Sequence, residues 1–330
     1  MQTFKSIFRI TIYMKIRTLV KSGPSSFVVS LPKEWVDKKK LKQGDNIYVE
    51  ENIDGDLKIS SVQKKPISKK EKIIINIDGK NMFTVQREIL EAYVNSHKYI
   101  RIQGKTFAKN VSEIKKIVEN LVALEIVDED KDMIELRDFL SLEDATISGV
   151  MRRMDNIARS MLTDLPDSIQ NPEVADGIIQ RDVNINRLIY LAQKLIKAAM
   201  NDDSILTALA LKKTEIVSYW ELGMQLEKIG DEFKRIAKIS AHVKKDFDIK
   251  TLKTILAKIK DIYCQTMNAH YKNDKLLADS IYLLRTEMNT ELDEYLKKNH
   301  TFEVGEICGK LKGALSHMSD ISRLTEYINP

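Results

Sequence analysis

QLEKIGDEFKRIAKI, Gln225 to Ile239, is the stretch that decides the fold. Leu226, Ile229, Gly230, Phe233 and Ala237 recur at i, i+3, i+4 spacing and share one face of a helix. Glu227 and Asp231 stand four apart on the flank of that face. Two like charges at this spacing cost a helix about 0.2–0.5 kcal/mol, so their place beside a packing stripe asks for a reason. The plain one is local: Asp231 lies four residues before Arg235 and can pair with it, for about 0.3–0.5 kcal/mol.

Working outward, no strand pattern occurs from Ser141 to the end. The periodicity predicts six long helices, at about 141–165, 172–200, 205–241, 249–273, 275–298 and 302–328. Breaks are expected at Pro166–Pro172, Asn201–Ser204, Asp246–Asp248, Asn273-Asp274 and Asn299-His300, and Ser141 with Asp144 reads as a capping box. Three helices followed by three more, with short connections, predict tandem three-helix bundles. The closing helices echo each other: LSHMSDISRLTEYI, Leu315 to Ile328, aligns with LEKIGDEFKRIAKI and sets Asp320 on Asp231 and Ser319 on Gly230. The middle helices also carry polar pairs, Asp182 with Asn186 and Glu287 with Glu291. Polar flanks recur in any amphipathic bundle.

The other end of the chain is different. KIRTLVKSG, SSFVVSLP, NIYVEENIDG and DLKISSV alternate and are rich in β-branched residues, with turns at Gly23-Pro24, Gly44-Asp45 and Asp54-Gly55. PKEWVDKKK reads as one or two helical turns with Pro32 at its start. A unit this small buries little core alone and is expected to dimerise. Ser61 to Lys72 reads as a lysine-rich linker. A second module then follows the order βαβαββ, a small α/β sandwich. The expected domains are therefore 14–62, 71–138 and 141–330, the last with repeats at about 141–243 and 249–330. Met14 directly precedes the first strand pattern, so residues 1–13 read as a loose extension or as lying upstream of the true start.

Charge is uneven along the 330 residues. Residues 1–70 hold 15 Lys and Arg against 7 acids, a surplus of eight, which leaves −3 for the remainder of a chain that carries +5. A basic head suggests a polyanion partner, DNA by default; a solvated lysine-rich surface is the plainer reading. No apolar run approaches about 18 residues, so no membrane insertion is expected. Cys264 and Cys308 lack a CxxC partner and read as reduced, buried thiols of a cytoplasmic protein. There is no P-loop, nucleophile elbow, HExxH or dinucleotide fingerprint, and none of the five histidines completes a Glu-x-x-His motif, so no enzyme is expected.

Two resemblances refine this picture. The helical half, about 141–330, resembles the PhoU family of phosphate-signalling proteins, through LEKIGDEFKRIAKI, RDVNINRL and the duplicated three-helix pattern. The head, residues 15–60, resembles the AbrB/MazE (SpoVT-AbrB) swapped-hairpin DNA-binding domain, through KSGPSSFVVSLPKEWVDKKKLKQGDNIYVEENIDGDLKI. The combination is similar to the phosphate-uptake regulators of archaea, in which a middle α/β module of no assigned chemistry also occurs. The resemblance implies a multidomain fold: a β-rich swapped-hairpin head, an α/β module and an all-α tandem bundle.

The head resemblance implies a homodimer that binds DNA through Arg17, Lys21, Ser25, Ser26 and Lys33. Cationic side chains neutralise phosphates, an arginine on a strand can read guanine, and hydroxyls bond phosphate oxygens. The PhoU resemblance implies that acids on neighbouring helices hold a metal: Asp182, Glu227 and Asp231 in the first repeat, Glu287, Glu291 and Asp320 in the second. Oxygen donors of this kind suit a divalent or iron or zinc ion. Asn186 and Ser316 stand where the pattern has acids, and His317 lies beside the second gap. The implied function is a cytoplasmic, phosphate-responsive transcriptional regulator whose partners are DNA and a phosphate transporter or its signalling proteins. The alternatives are a PhoU-type adaptor whose head only dimerises it, a MazE-like antitoxin, and a metal-carboxylate enzyme.

Overall fold

The computed structural model describes residues 16–51, 55–62, 72–141, 145–209, 211–241, 243 and 247–327. The reading of residues 1–13 and most of the Ser61–Lys72 linker lie outside them. The chain divides into two compact units, Met1–Pro66 and Ile67–Pro330.

The first unit is built from two small antiparallel pairs around a short helix. β1 (Val20–Lys21) pairs with β2 (Phe27–Val28), and β3 (Tyr48–Glu51) pairs with β4 (Leu57–Ser60). The turns fall at Gly23 and Gly55, whose φ values of +88° and +78° suit glycine. α1 (Lys33–Lys38) starts immediately after Pro32. The strands are shorter than the alternation in the sequence predicts, and the cause is physical. Among the described residues of this unit none is buried, and Leu19, Val20, Phe27, Val28, Val49 and Leu57 are all exposed. The apolar side chains that should hold a sheet face have nothing of their own to pack on.

The second unit begins with the expected βαβαββ order: β5 (Lys72–Asn76), α2 (Met82–Val94), β6 (Tyr99–Gln103), α3 (Phe107–Glu119), β7 (Leu124–Asp130) and β8 (Met133–Asp138). The strand order is β5-β6-β8-β7, with β5 and β6 parallel because α2 crosses over between them. β6 pairs antiparallel with β8, and β7 with β8, with a bulge between Ile126 and Asp128. Alternate strand residues Ile75, Ile100, Ile102, Ile134 and Leu136 are buried with Val85, Ile89 and Tyr93 of α2 and Ile114 and Val118 of α3.

The rest is helical: α4 (Ile147–Ser168), α5 (Pro172–Asn201), α6 (Asp203–Ala208), α7 (Lys213–Ser240), α8 (Ile249–Lys272), α9 (Lys275–Lys298) and α10 (Phe302–Tyr327). α4, α5 and α7 pack together as one bundle and α8, α9 and α10 as a second. The bundles meet where α7 runs against α10 and α4 against α8, so the two echoing helices lie side by side. Helix ends follow local chemistry. Asn171 caps α5 ahead of Pro172, and Asp248 and Asp274 cap α8 and α9. Asn273 ends α8 in the left-handed region at φ +52°, which asparagine tolerates.

Three boundaries differ from the sequence reading. α4 starts six residues later than Ser141, with Thr146 as its cap, its hydroxyl accepting from Gly149 N at 3.1 Å. The preceding chain is still held by the α/β module: Phe139 N donates to Ala123 O at 2.8 Å, and Leu140 N to Asp138 Oδ1 at 3.1 Å. Asp144 of the expected capping box lies outside the described residues. Pro166 does not break α4, which continues to Ser168. The third long helix begins at Lys213, because Glu215 accepts from Lys212 N at 2.7 Å and starts a new helix after the short α6.

The seam between the bundles holds a polar cluster that the sequence does not announce. Asp155 of α4, 3% exposed, accepts from Arg159 Nε at 2.7 Å and from Tyr263 Oη of α8 at 3.0 Å. Arg159 also donates to Cys264 Sγ at 3.1 Å. Cys264 is half-buried, whereas Cys308 is buried as expected. Nearby, the Arg152 guanidinium lies 3.5 Å over the Tyr271 ring. His270 is pushed down to about 4 by burial and by Arg152, with Asp155 opposing. A histidine lowered in the fold binds its proton first in the unfolded chain, so its stabilisation is complete above about pH 6.5 and is lost as pH falls towards 4. Between pH 7.5 and 5 the fall in urea stability assignable to this group is expected to be about 2 kcal/mol. His270→Gln should flatten that dependence; an unchanged pH profile would assign the dependence to other groups.

Candidate functional site

On α7 the apolar face of the opening stretch is buried as read: Leu226, Ile229, Phe233 and Ala237 are each 0% exposed. Gly230 has a packing role, since a Cβ there would come within 2.6 Å of Ile185 Cδ1 on α5. This close approach brings the flank of α7 against the acid-bearing part of α5, and the first-repeat residues meet there. Lys234 Nζ donates to Asp182 Oδ2 at 2.8 Å and also to Asp231. Arg235 Nη2 donates to the other oxygen of Asp231 at 2.9 Å, the local pair anticipated from the spacing. Asn186 Nδ2 donates to Asp182 Oδ2 at 3.1 Å. Glu227 is raised by burial first and then by the charges of Asp231 and Asp182, so it lies within electrostatic reach of both. Lys234 is held charged by its two carboxylates against the opposing effect of burial.

The second-repeat candidates lie on two helices, Glu287 and Glu291 four apart on α9 and Asp320 on α10. Glu287 is exposed. Glu291 pairs with Lys258 at 2.8 Å, and Asp320 with Arg323 at 3.1 Å. His317, beside Ser316, is engaged elsewhere: its Nδ1 lies 2.8 Å from Gln225 Oε1 across the α7–α10 contact. Among the described residues no three histidines, cysteines or acids are grouped so as to hold a metal ion. The acids of both repeats are largely matched with lysine and arginine, so the donor set of the described residues does not fit a metal cluster. Lys234 was missed by sequence reasoning. The signal was present, because Lys234 follows Asp231 by three and Glu227 by seven, which puts it on the same side of α7.

In the first unit Arg17, Lys21, Ser25, Ser26 and Lys33 are all exposed. Lys21 lies on β1, Ser25 and Ser26 in the turn before β2, and Lys33 at the first position of α1. Arg17 donates to the Ile16 carbonyl at 3.0 Å, a contact that leaves most of its donors available.

A β-rich head with an uncovered apolar surface, followed by an α/β module and a tandem three-helix array, defines a modular helical protein. Comparison with known families gives the parts their names. Residues 151–240 match the PhoU domain, and residues 20–72 match the domain described as antidote-toxin recognition MazE, bacterial antitoxin. The chain thus combines a segment similar to MazE/AbrB-type domains with a segment similar to PhoU domains. A solved structure described as PhoU from Pseudomonas aeruginosa is similar over 55% of this chain and 94% of its own, at 14% identity and a TM-score of 0.44. No curated protein matches the chain. No helix among the described residues is long and apolar enough to cross a membrane.

Proposed function

We propose that the chain is a phosphate-responsive transcriptional regulator of phosphate uptake. The observation that carries this reading is the presence, in one polypeptide, of a MazE-like match at 20–72 and a PhoU match at 151–240. The head binds DNA as a two-fold dimer, Arg17, Lys21 and Lys33 meeting phosphates and Ser25 and Ser26 adding hydroxyl contacts. Its exposed apolar residues support the dimer, since a second copy would supply the layer that one copy lacks. A dimer reads a palindromic or near-palindromic site. The PhoU-like half receives phosphate status in the cytoplasm by contact with a phosphate transporter or its signalling proteins. The role is regulatory rather than catalytic. Coupling the two halves requires two states that differ in DNA affinity.

Genome-wide mapping of bound DNA, with and without phosphate, tests this reading. Discrete sites whose occupancy changes with phosphate are expected. No sites under either condition would leave the second reading, a PhoU-type adaptor whose head only dimerises it; the uncovered apolar surface of the head is equally consistent with that role.

A further inference from the structure

We infer that Lys234 is the resident cation of the α5–α7 acid cluster, its ammonium standing where the PhoU resemblance would place a metal ion, so that the first bundle is complete without metal. The Asp182 side chain is only 5% exposed, and a carboxylate buried that far needs a counter-charge. Lys234 supplies it from the neighbouring helix at 2.8 Å and holds Asp231 with the same ammonium. Two further donors complete the set: Arg235 holds the second oxygen of Asp231, and the Asn186 amide N–H joins Lys234 on Asp182 Oδ2. A divalent ion at Asp182 and Asp231 would have to displace an ammonium that is itself only one-fifth exposed. The lysine brings its charge from α7 to Asp182 on α5, so the ammonium ties the two helices together.

The inference predicts a latent site. Lys234→Met keeps the length of the stem and removes the charge, leaving Asp182 and Asp231, the two carboxylates that shared one ammonium, to share one ion, with the Asn186 amide free to turn its oxygen inward. Such hard oxygen donors suit Mn²⁺. The test uses the full chain, stripped with chelator, titrated with MnCl₂ and desalted, with bound metal and melting midpoint both recorded. The wild-type protein and Asp182→Asn/Asp231→Asn are expected to carry equal Mn²⁺. Lys234→Met is expected to bind Mn²⁺ at least tenfold more tightly than wild type and to melt higher with the ion, and adding Asp182→Asn/Asp231→Asn should abolish both gains. Metal content that falls from wild type to Asp182→Asn/Asp231→Asn would overturn the inference, as would a folded Lys234→Met protein with no gain. If Lys234→Met does not fold, the comparison of wild type with Asp182→Asn/Asp231→Asn decides alone: equal content supports the inference, and a loss of one equivalent refutes it.

Discussion

Replacing Lys194 with alanine is expected to destabilise the second unit by about 3–5 kcal/mol, the usual cost of leaving one member of a buried ion pair unmatched. Lys194 lies in the C-terminal third of α5 with its side chain 1% exposed, and its Nζ is 2.7 Å from Asp138 Oδ2 at the end of β8. The same ammonium sits 4.0 Å from the centre of the Tyr93 ring on α2, whose hydroxyl donates to Val122 O at 3.0 Å. Burial and the Asp138 charge both push the Tyr93 hydroxyl up, so it remains a neutral donor. Without the lysine, Asp138 keeps its burial and loses its cation. Lys194→Met with Asp138→Asn removes both charges and keeps the acceptor for Leu140 N, so it should recover most of the loss. Chemical denaturation followed by circular dichroism checks both proteins. A loss below about 1 kcal/mol in Lys194→Ala would show that the pair contributes no net stability. The pair joins the α/β module to the helical bundle, two parts of one compact unit that also meet where α2 runs against α5.

Phe233→Ala is expected to cost a further independent 3–5 kcal/mol, about the range for a buried aromatic replaced by alanine. The ring is 0% exposed and lies in the core shared by α4, α5 and α7. Lys228, five residues earlier on the exposed side of the same helix, is the control: Lys228→Ala should stay within about 0.5 kcal/mol of wild type. Similar losses in the two variants would mean that the apolar face has been misplaced.

Much of the helical half is legible in its periodicity, because a bundle demands one apolar stripe per helix and short connections between stripes. Leu226, Ile229, Phe233 and Ala237 are buried for that reason. The βαβαββ order is legible too, from Ile-rich runs between amphipathic helices. The failures occur where a tertiary contact outweighs local preference. Ser141 looks like a cap, yet the chain beside it is tied to Ala123 and Asp138. Pro166 looks like a terminator, yet α4 runs two residues past it. Lys194 and Lys234 look like surface lysines, because nothing local tells where a long flexible side chain will place its charge. They are two cases of one effect: each brings an ammonium from a helix to a buried carboxylate that the sequence shows without its partner. The head was legible as a small β-rich unit but not in strand length, since the apolar layer it needs is not supplied by its own residues.

Duplex affinity measured against salt tests DNA binding by the head most directly. With the full chain, log K should fall linearly with log salt, with a slope of roughly −0.9 for each phosphate neutralised. Arg17→Ala/Lys21→Ala should weaken binding at every salt and flatten the slope by about 1.8 per protomer, the contribution of two phosphate contacts. A wild-type protein that retains no duplex, specific or nonspecific, even at low salt would rule out DNA binding by the head.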